Sequence, residues 1–401
     1  MDMTETPQTK RRYDLNSLKG LFALLLVHTI GPQTVIILPA LVQGYVEQLG
    51  YSEQEAGFLA SIETWGMFIA TFAMMVLISR VNWRSLMGVS LLAMIAANAL
   101  SMFTENVIAL YVLRFIAGVG GGTIVAVSYA MIGLTLRKNR NFGWALFFVL
   151  LYGAVVFPIL PMVYTQFGIA GAFFFFAAFA VCGLPVVRGL PGHGKQVSEG
   201  DRDAVELSVT LKGMAVVTMV LYFIGQIGVW SYFYRFGVRY GMSEQTVGSA
   251  LSISQFFGLA GAFSVVMFSR LVRKDVALFL GIGLSIVSIA MLFGTHAFLA
   301  FVLISGAYQF LWNMTHPYLL GALATFDPSG RIIVYGTAMQ FLGVAAGPAI
   351  AAVLVTEESL SNVLWMGIVF MLASMVCILP PVMKEHRLRV RKVAVTVSDH
   401  A

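Results

Sequence analysis

The sequence carries one series of short motifs twice, the second copy about 190 residues after the first. Each match is weak alone, but the order is the same in both copies, which chance seldom produces. Both copies consist mainly of long apolar segments. A duplicated apolar half predicts two similar helical bundles in a membrane, an arrangement typical of secondary transporters. The matched motifs are Leu18-Lys19-Gly20 with Leu211-Lys212-Gly213, Ser52-Glu53-Gln54 with Ser243-Glu244-Gln245, Gly57 and Ser61 with Gly248 and Ser252, Ser79-Arg80 with Ser269-Arg270, Gly153 and Pro158 with Gly343 and Pro348, and Val181-Cys182 with Val376-Cys377.

The composition predicts that the membrane is the solvent for the whole chain. Apolar residues make up 59% of the 401 positions and charged residues 11%, against about 45–50% and 25% in soluble domains. The first apolar run is too long for a removable signal peptide and lacks a small-residue cleavage pattern. We therefore expect a multi-pass membrane protein with no separate soluble domain.

Twelve apolar segments of about 20–28 residues are long enough to cross a bilayer as helices. The predicted fold is an all-α integral membrane protein with a six-helix bundle at 1–187, a central cytoplasmic linker at 188–210 and a second six-helix bundle at 211–401 that ends in a short basic tail. The segments run roughly over 17–43, 54–79, 85–104, 106–135, 142–166, 168–187, 211–238, 244–269, 275–295, 298–325, 332–355 and 360–383.

The basic residues predict the orientation. With the N-terminus in the cytoplasm, nearly all Lys and Arg fall on the cytoplasmic side, as the positive-inside rule requires. Only Arg235 and Arg239 face outward, and Arg114 lies inside a span. An even number of spans then places both termini in the cytoplasm, and we expect a cell membrane, bacterial inner membrane in particular. This distribution accounts for the net charge of +6 without a nucleic-acid partner. Tyr232 and Tyr234 are expected in the interfacial aromatic belt.

Two local patterns resemble motifs of the major facilitator superfamily. The loop Ser79-Arg80-Val81-Asn82-Trp83-Arg84, echoed by 269–274, is similar to that family's Asp-Arg-x-Gly-Arg-Arg loop. In both copies Ser stands where the family has Asp, so the gating salt bridge of other members lacks its acid here. In the fourth span, Arg114 followed by Gly118 is similar to the family's Arg-x-x-x-Gly signature. The resemblance covers the whole chain and implies two six-helix bundles that alternate access to a central cavity.

A third pattern concerns direction of transport. Gly343-x-x-x-Gly347-Pro348 is similar to the Gly-Pro motif of antiporters, but the family carries that motif in the fifth span, where this chain has Gly153-x-x-x-Phe157-Pro158. The signal for antiport is therefore weakened. Glycines at this spacing let helices approach closely, and prolines permit bends. We assign conformational and helix-packing roles to Arg80, Arg84, Gly118, Gly122, Pro158, Arg270, Arg273, Gly343, Gly347 and Pro348; packing without a part in transport is the alternative for the glycines.

Two charges lie deep inside the predicted spans. Glu63 and Arg114 are each about nine residues from the outer end of their span, which at 1.5 Å per residue is roughly 14 Å, near the middle of a 30 Å core. Burial of a lone charge there is costly, so we expect the two to be neighbours. His28 reaches a similar depth from the other side. We predict that Glu63, Arg114 and His28 carry proton coupling. A static pair and direct contact of Arg114 with an anionic substrate are the alternatives.

Polar residues recur at helical spacing in two spans of the second half, which predicts cavity-facing stripes. The resemblance implies that the first, fourth, seventh and tenth spans line the cavity, which agrees with the stripes. Hydrogen bonding between helices without a ligand is the alternative. The tenth-span stripe also contains Ser305. The residues predicted to bind substrate are Gln33, Tyr129, Tyr222, Gln226, Trp230, Gln309, Trp312, Asn313 and His316.

These observations predict a secondary active transporter, not an enzyme, for a small amphipathic organic compound, with an aromatic or carboxylated one favoured and an anion-binding first half. We expect coupling to protons, uptake rather than export, a monomer, and no cofactor or metal. A proton-antiporting efflux pump for drugs or metabolites is the alternative, and a non-transporting membrane receptor or structural protein is the second. A channel would need rings of like charge or carbonyls. An enzyme would need clustered ligands or a nucleophile with its base, whereas the six histidines are scattered.

Overall fold

The computed structural model describes residues 14–193, 205–268, 271–294, 297–327, 331–356 and 359–398. Within these ranges the regular structure is entirely helical. The first half contains α1 (Leu18–Ile30), α2 (Gln33–Ile36), α3 (Leu38–Leu49), α4 (Glu53–Leu77), α5 (Trp83–Ser101), α6 (Val107–Gly133) and α7 (Lys138–Val187). The second half contains α8 (Val209–Ser231), α9 (Phe233–Arg239), α10 (Glu244–Phe268), α11 (Lys274–Met291), α12 (Phe298–Thr325), α13 (Arg331–Leu354) and α14 (Ser361–Ser398).

Ten stretches of the described chain are long and apolar enough to cross a membrane. Two features explain why the described structure has ten such stretches and the sequence predicts twelve segments. The stretch Arg140–Val187 has 48 residues, more than twice the roughly 20 that one crossing needs, and its backbone leaves the helical conformation at Gly168 (φ 60°, ψ −164°). The first apolar segment is divided into α1, α2 and α3, since Pro32 interrupts the helix before α2. Each of its pieces is therefore too short to qualify alone.

Serines cap the starts of helices in both halves. Ser17 caps α1 by accepting from the backbone N–H of Gly20, and Ser208 caps α8 by accepting from Leu211. Ser52 and Glu55 form a reciprocal capping box at the start of α4. Such caps satisfy backbone donors that a helix start leaves unpaired. Ser52 belongs to the repeat, and its counterpart Ser243 likewise accepts from the backbone N–H of Thr246 at the start of α10 (3.2 Å), so the repeat sets where these two helices begin.

Glycines bring helices of the same half into backbone contact. A Cβ added to Gly118 of α6 would lie 2.0 Å from the carbonyl oxygen of Glu63 on α4, and one on Gly122 would lie 2.4 Å from that of Met67. In the second half, a Cβ on Gly343 of α13 would lie 2.6 Å from the carbonyl oxygen of Val220 on α8. One on Gly347 would lie 2.8 Å from the backbone nitrogen of Gly228. These four glycines allow an approach that no other residue permits.

Replacing Gly118 by alanine should destabilise the protein, because the new methyl group would overlap backbone atoms that cannot rotate away. Overpacking of this kind costs about 1–3 kcal/mol, visible as a lower unfolding temperature in detergent. Gly88→Ala is the matched control, since a Cβ there meets nothing within 4 Å and alanine is the better helix former by about 1 kcal/mol. Equal unfolding temperatures for both variants would contradict the close approach of α4 and α6.

Repeated residues also join the two halves symmetrically. Ser61 of α4 donates to the carbonyl oxygen of Ala345 on α13 (2.8 Å), and its counterpart Ser252 of α10 donates to that of Ala154 on α7 (2.6 Å). One turn earlier, Gly57 and Gly248 leave room for groups of the opposite half: a Cβ would lie 2.1 Å from the Tyr232 hydroxyl and 2.6 Å from the Phe157 carbonyl, respectively. The duplicated motifs thus build the contact between the halves as well as the helix starts.

Candidate substrate cavity and charge clusters

A cavity of about 220 Å³ lies between the two halves. Its first-half wall comes from α1, α4, α6, α7 and the segment around α2, and its second-half wall from α8, α10, α12 and α13. The lining of the first half is His28, Pro32, Val35, Ile36, Met67, Val125, Tyr129, Phe142, Ala145, Leu146, Val149 and Leu150. That of the second is Phe223, Ile227, Trp230, Gln255, Gln309, Trp312, Asn313, His316, Gln340, Phe341 and Val344.

Most of the residues predicted to bind substrate reach this cavity. Tyr129, Trp230, Gln309, Trp312, Asn313 and His316 all line it, together with His28. Gln33, Tyr222 and Gln226 do not: they are fully buried among the helices. The Gln33 side chain donates to the carbonyl oxygen of Phe176 (3.4 Å). Some residues of a helical stripe face the cavity and others face a neighbouring helix. The spacing in the sequence does not distinguish these two groups.

Two residues of the cavity lining, Gln255 and Gln340, are not among the residues predicted from the sequence to bind substrate. Each is an isolated amide in an otherwise apolar stretch, which is the signal that could have identified them. The Nε2 of His316 lies 2.9 Å from Oε1 of Gln340, a hydrogen bond between α12 and α13. Gln255 is 1% exposed and lies on α10, against Gly153 of α7. Together with Gln309 and Asn313 they give the second-half wall four carboxamides.

Aromatic rings form the remainder of the second-half wall. Trp312 meets Trp230 edge to face, with ring centroids 6.1 Å apart, and Trp230 stacks on Tyr308 at 6.4 Å. These rings are held from behind by Phe157 of the first half, 5.9 Å from Trp230. Rings packed in this way keep their positions and offer a rigid apolar face to a ligand.

The first-half wall is not charged, contrary to the expectation of an anion-binding first half. Among the described residues, His28 and Tyr129 are the polar side chains on that wall, and their rings lie 5.0 Å apart. Arg114 is fully buried and does not reach the cavity. Its direct contact with an anionic substrate is therefore absent in this conformation.

Glu63 and Arg114 lie next to each other behind the cavity wall. Nη1 of Arg114 is 3.9 Å from Oε2 of Glu63, as equal depth in the membrane predicts. Arg114 is held more tightly by neutral groups of α5: its Nη1 donates to Oδ1 of Asn98 (2.9 Å) and its Nη2 to Oγ of Ser101 (2.8 Å). Its guanidinium carbon also lies 4.7 Å from the Phe173 ring centroid. The cation is thus satisfied without a close bond to the acid.

The two oxygens of Glu63 have unequal surroundings. Oε1 accepts a hydrogen bond from the Thr34 hydroxyl (2.7 Å), whereas the buried Oε2 has no hydrogen-bond partner in the described part of the chain. His28 forms no ion pair with Glu63 within the described ranges and lies instead on the cavity wall. The expected cluster of three ionisable residues is therefore divided into a buried pair and a cavity histidine.

A second charged cluster joins the halves at the Glu53 end of the molecule, where α3 and α9 end and α4 and α10 begin. Arg235 binds Glu53 through Nη2 (2.6 Å) and Nε (2.9 Å), and its Nη1 binds Oε1 of Glu47 (2.7 Å) and of Gln43 (2.8 Å). Arg239 adds a bond to Oε1 of Glu53 (3.0 Å). Because Arg235 belongs to the second half and its partners to the first, this cluster closes the Glu53 end.

The acids of the closing cluster follow the sequence repeat, but their partners do not. Glu53 and Glu244 are 191 residues apart, as are Gly50 and Gly241, and the same offset pairs Gln43 with Tyr234, the residue before Arg235. While Arg235 binds Glu53, Gln43 donates to Oε1 of Glu244 (2.7 Å). The two crossed contacts thus bind equivalent acids through residues that are one position out of register in the repeat. Arg235 is buried here, although the sequence predicted only that it faces outward.

The prediction that Tyr232 and Tyr234 lie in the interfacial aromatic belt is wrong. Both are at most 1% exposed. The hydroxyl of Tyr232 donates to the backbone carbonyl of Glu53 in the other half (2.8 Å), and that of Tyr234 donates to the carbonyl of Glu244 (2.6 Å). Both rings pack inward because their hydroxyls meet backbone carbonyls at the starts of α4 and α10.

The cavity opens at the opposite end, the Trp83 end, where α4 ends and α5 begins. Tyr129 and Phe142 lie near the end of α6 and the start of α7, and 40% and 38% of their surfaces are exposed although both line the cavity. They form the rim. The protein is therefore closed at the Glu53 end and open at the Trp83 end.

The basic residues of the Trp83-end loops make contacts within their own halves. Nε of Arg84 donates to the carbonyl oxygen of Leu190 (2.7 Å), which fixes the start of the linker. Arg273 pairs with Asp275 (2.7 Å) on the surface, and Arg80 is exposed. Arg270 lies outside the described residues. Pro158 accepts a hydrogen bond from Gln245 across the halves (3.1 Å), and Pro348 lies inside α13.

Comparison with known proteins identifies the family. Residues 23–333 match the family model of the Major Facilitator Superfamily. The chain belongs to this superfamily. The match confirms the resemblance carried by the loop and fourth-span motifs. Members of the superfamily are membrane carriers, so this protein is a multi-pass transporter that acts by secondary transport, and nothing in the comparisons indicates an enzyme.

Solved structures with the same fold include two transporters. A D-xylose–proton symporter aligns with a TM-score of 0.70 and 16% identity over 88% of this chain and 97% of the symporter. A bacterial homologue of the human lysosomal transporter Spinster, in an inward-facing and unoccupied conformation, aligns with a TM-score of 0.61 and 13% identity over 92% of this chain and 96% of that one. No curated protein sequence matches this transporter. At such identities the likeness concerns the fold.

Proposed function

We propose that this transporter takes up a small, neutral, aromatic compound with amide-like hydrogen-bonding groups, together with a proton, by alternating access. The observation that carries the proposal is the cavity between the halves, which is closed at one end, open at the other and lined by rings and carboxamides. A carrier needs a site that both halves share, because rocking the halves about it exposes it to each side in turn.

The lining supports the class of substrate. Trp312 and Trp230 offer flat apolar faces, and the carboxamides of Gln309, Asn313 and Gln340 offer both donors and acceptors. No Lys, Arg, Asp or Glu of the described chain lines the cavity. A permanent anion would therefore lose its hydration without gaining a counter-charge. A neutral amphipathic ring fits this lining better than the carboxylated compound that the sequence also suggested.

The buried pair supports the proton. Arg114 has neutral partners of its own, so it can approach Glu63 or withdraw from it. The environment of Glu63 can therefore change without a movement of the whole cavity wall. An acid inside a bundle, next to a cation that can approach or withdraw, is a suitable proton carrier. His28, on the cavity wall, would take part through the substrate rather than through Glu63.

The same proposal includes the topology. Ten apolar stretches, of which Arg140–Val187 counts twice because of the reversal at Gly168, give eleven crossings. The segments α1 to α3 add the twelfth. Two six-helix bundles, 1–187 and 211–401, then flank the linker 188–210, with both termini in the cytoplasm and the Trp83 end facing inward. We propose a monomer in the bacterial inner membrane.

Transport in proteoliposomes tests this proposal. Internal pyranine would report proton entry when benzamide or uracil is added outside, with benzenesulfonate and orotate as the matching anions and protein-free liposomes as the baseline. We expect protein-dependent proton entry with a neutral amide and none with its anion. Response to the anions alone, or to no compound of the set, would overturn the substrate class. Substrate entry without protons would overturn the coupling, and proton exit driven by the substrate would indicate export.

Removing the ring of Trp312 should weaken binding of the same neutral probe at least tenfold, about 1.4 kcal/mol, because a stacked face and its buried area are lost. Gln309→Ala should weaken it several-fold through a lost hydrogen bond of about 0.5–1.5 kcal/mol. Trp365→Ala is the control, since that ring is 58% exposed and outside the cavity. Calorimetric titration measures all three. Unchanged affinity in both cavity variants would exclude this wall from the site.

A further inference from the structure

A four-residue helix connects the buried acid to the cavity. The segment α2 (Gln33–Ile36) occupies the break between α1 and α3. Its Val35 and Ile36, with the preceding Pro32, line the cavity. Thr34 is buried away from the cavity lining, and its hydroxyl donates to Oε1 of Glu63 (2.7 Å). One short element therefore touches whatever fills the cavity and also the acid behind the wall.

This element is held less firmly than its neighbours. Neither flanking residue, Pro32 or Ile37, makes a side-chain capping bond to α2. Apart from the Thr34 bond, the side-chain link of α2 to another helix within the described residues is the long bond from Gln33 to the carbonyl of Phe176 (3.4 Å). Four residues leave most of their backbone groups outside a regular hydrogen-bond ladder. By contrast, Gly118 and Gly122 fix α4 against α6 through backbone contacts. Displacement of α2 relative to Glu63 is thus easier than displacement of α4, which carries the acid.

The surroundings of Glu63 fit two arrangements. Here Arg114 is held by Asn98 and Ser101, and the buried Oε2 of Glu63 has no partner, so a proton on Oε2 would remove an otherwise unsatisfied charge. The titratable groups that act on Glu63 from the packed elements are Arg114 of α6, Tyr45 of α3 and Tyr152 of α7. Of these, Arg114 is the cation that can replace the proton, by closing the 3.9 Å gap.

We infer that Thr34 is the positioning residue that couples occupancy of the cavity to protonation of Glu63. With the Thr34 hydroxyl donating to Oε1, the ionised carboxylate is stabilised, and Arg114 can close on it in place of a proton. When α2 shifts with the contents of the cavity, the hydroxyl leaves Oε1, the carboxylate takes a proton from water on Oε2, and Arg114 stays with Asn98 and Ser101. This inference rests on the proposed proton role of Glu63.

The number of protons transported per substrate molecule tests the role of Thr34. Thr34→Val removes the hydroxyl at nearly constant volume, and Thr34→Ser restores it. In proteoliposomes we expect Thr34→Val to retain proton-independent exchange of benzamide and to shift the pH profile of uptake. It should lose most of the up to tenfold accumulation that a gradient of about one pH unit supports. Thr34→Ser should resemble the parent protein. Thr29→Val is the control for removing a buried hydroxyl, because Thr29 bonds only to its own helix, at Leu25 (2.8 Å).

A parent-like ratio and pH profile in Thr34→Val, when Glu63→Gln has lost both, would overturn the role of Thr34 alone. A parent-like ratio in Glu63→Gln would overturn the proton role of Glu63, and the inference with it. Loss of exchange as well as accumulation in a folded Thr34→Val protein would assign Thr34 a structural role and also overturn the inference. If Thr34→Val does not fold, Thr34→Ala is read in the same way.

Discussion

Replacing Glu63 by glutamine should abolish accumulation driven by a proton gradient while leaving exchange of substrate intact. The amide keeps the shape and accepts the Thr34 hydrogen bond, but it cannot release a proton. Arg114 retains Asn98 and Ser101 as partners, so the fold should tolerate the change. A gradient of one pH unit supports up to tenfold accumulation for one proton per substrate, about 1.4 kcal/mol. In Glu63→Gln this tenfold accumulation should disappear, leaving equal substrate concentrations inside and outside.

The measurement compares uptake with and without an imposed pH gradient in proteoliposomes of Glu63→Gln and of Glu105→Gln. Glu105 is an exposed acid at the start of α6, so its replacement should leave accumulation at the parent level. An undiminished response to the gradient in Glu63→Gln would show that the coupling proton binds elsewhere, with His28 the next residue to replace.

Replacing Arg235 by alanine should open the Glu53 end. The substitution removes the main cation of the buried Glu53, which keeps Arg239, and of the half-exposed Glu47. Removing one partner of a buried ion pair costs about 3–5 kcal/mol, and Arg239 offsets part of that cost. Since the pair crosses between the halves, the cost applies to the closed state and is relieved when the halves separate. Each 1.4 kcal/mol shifts a two-state population tenfold, so the shift should be at least tenfold toward the state open at that end.

Spin labels on cysteines at Tyr51 and Tyr240, in a background without Cys182 and Cys377, would report the separation of the halves at the Glu53 end. We expect a longer distance in Arg235→Ala and partial reversal when Glu53→Gln is added, because the second change removes the buried charge that Arg235 no longer balances. Arg273→Ala is the control: its pair with Asp275 is at the surface and contributes at most about 1 kcal/mol. An unchanged distance distribution in Arg235→Ala would mean that the apolar contacts alone hold this end closed.

The depth of a residue in the membrane was predictable, whereas its direction around the helix was not. Counting residues from the span ends was enough to predict that Glu63 and Arg114 are neighbours. The same count placed His28 with them, but its ring lies on the cavity wall. Position along a helix rises by a fixed 1.5 Å per residue. The face that a side chain occupies depends on which helices pack around it, and hydropathy does not report that.

The predicted stripes show the same distinction. Gln309, Trp312, Asn313 and His316 share one face of α12, and the structure brings that face to the cavity. Tyr222 and Gln226 share a face of α8 with Trp230, yet only Trp230 reaches the lining. The helical spacing of residues predicts which of them share one face of a helix. Packing decides which member of the stripe is turned toward a neighbouring helix.

Sequence by itself determined that this protein is helical, lies in the membrane and consists of two related halves, because long apolar segments have few other stable forms in lipid. It also revealed the duplicated serines and glycines. Only the tertiary structure decided what those repeats do across the interface: Ser61 and Ser252 bond to the opposite half, and the equivalent acids Glu53 and Glu244 are bound across it by Arg235 and Gln43. Contacts between halves depend on how two surfaces meet in space, and no pattern within one helix encodes its partner.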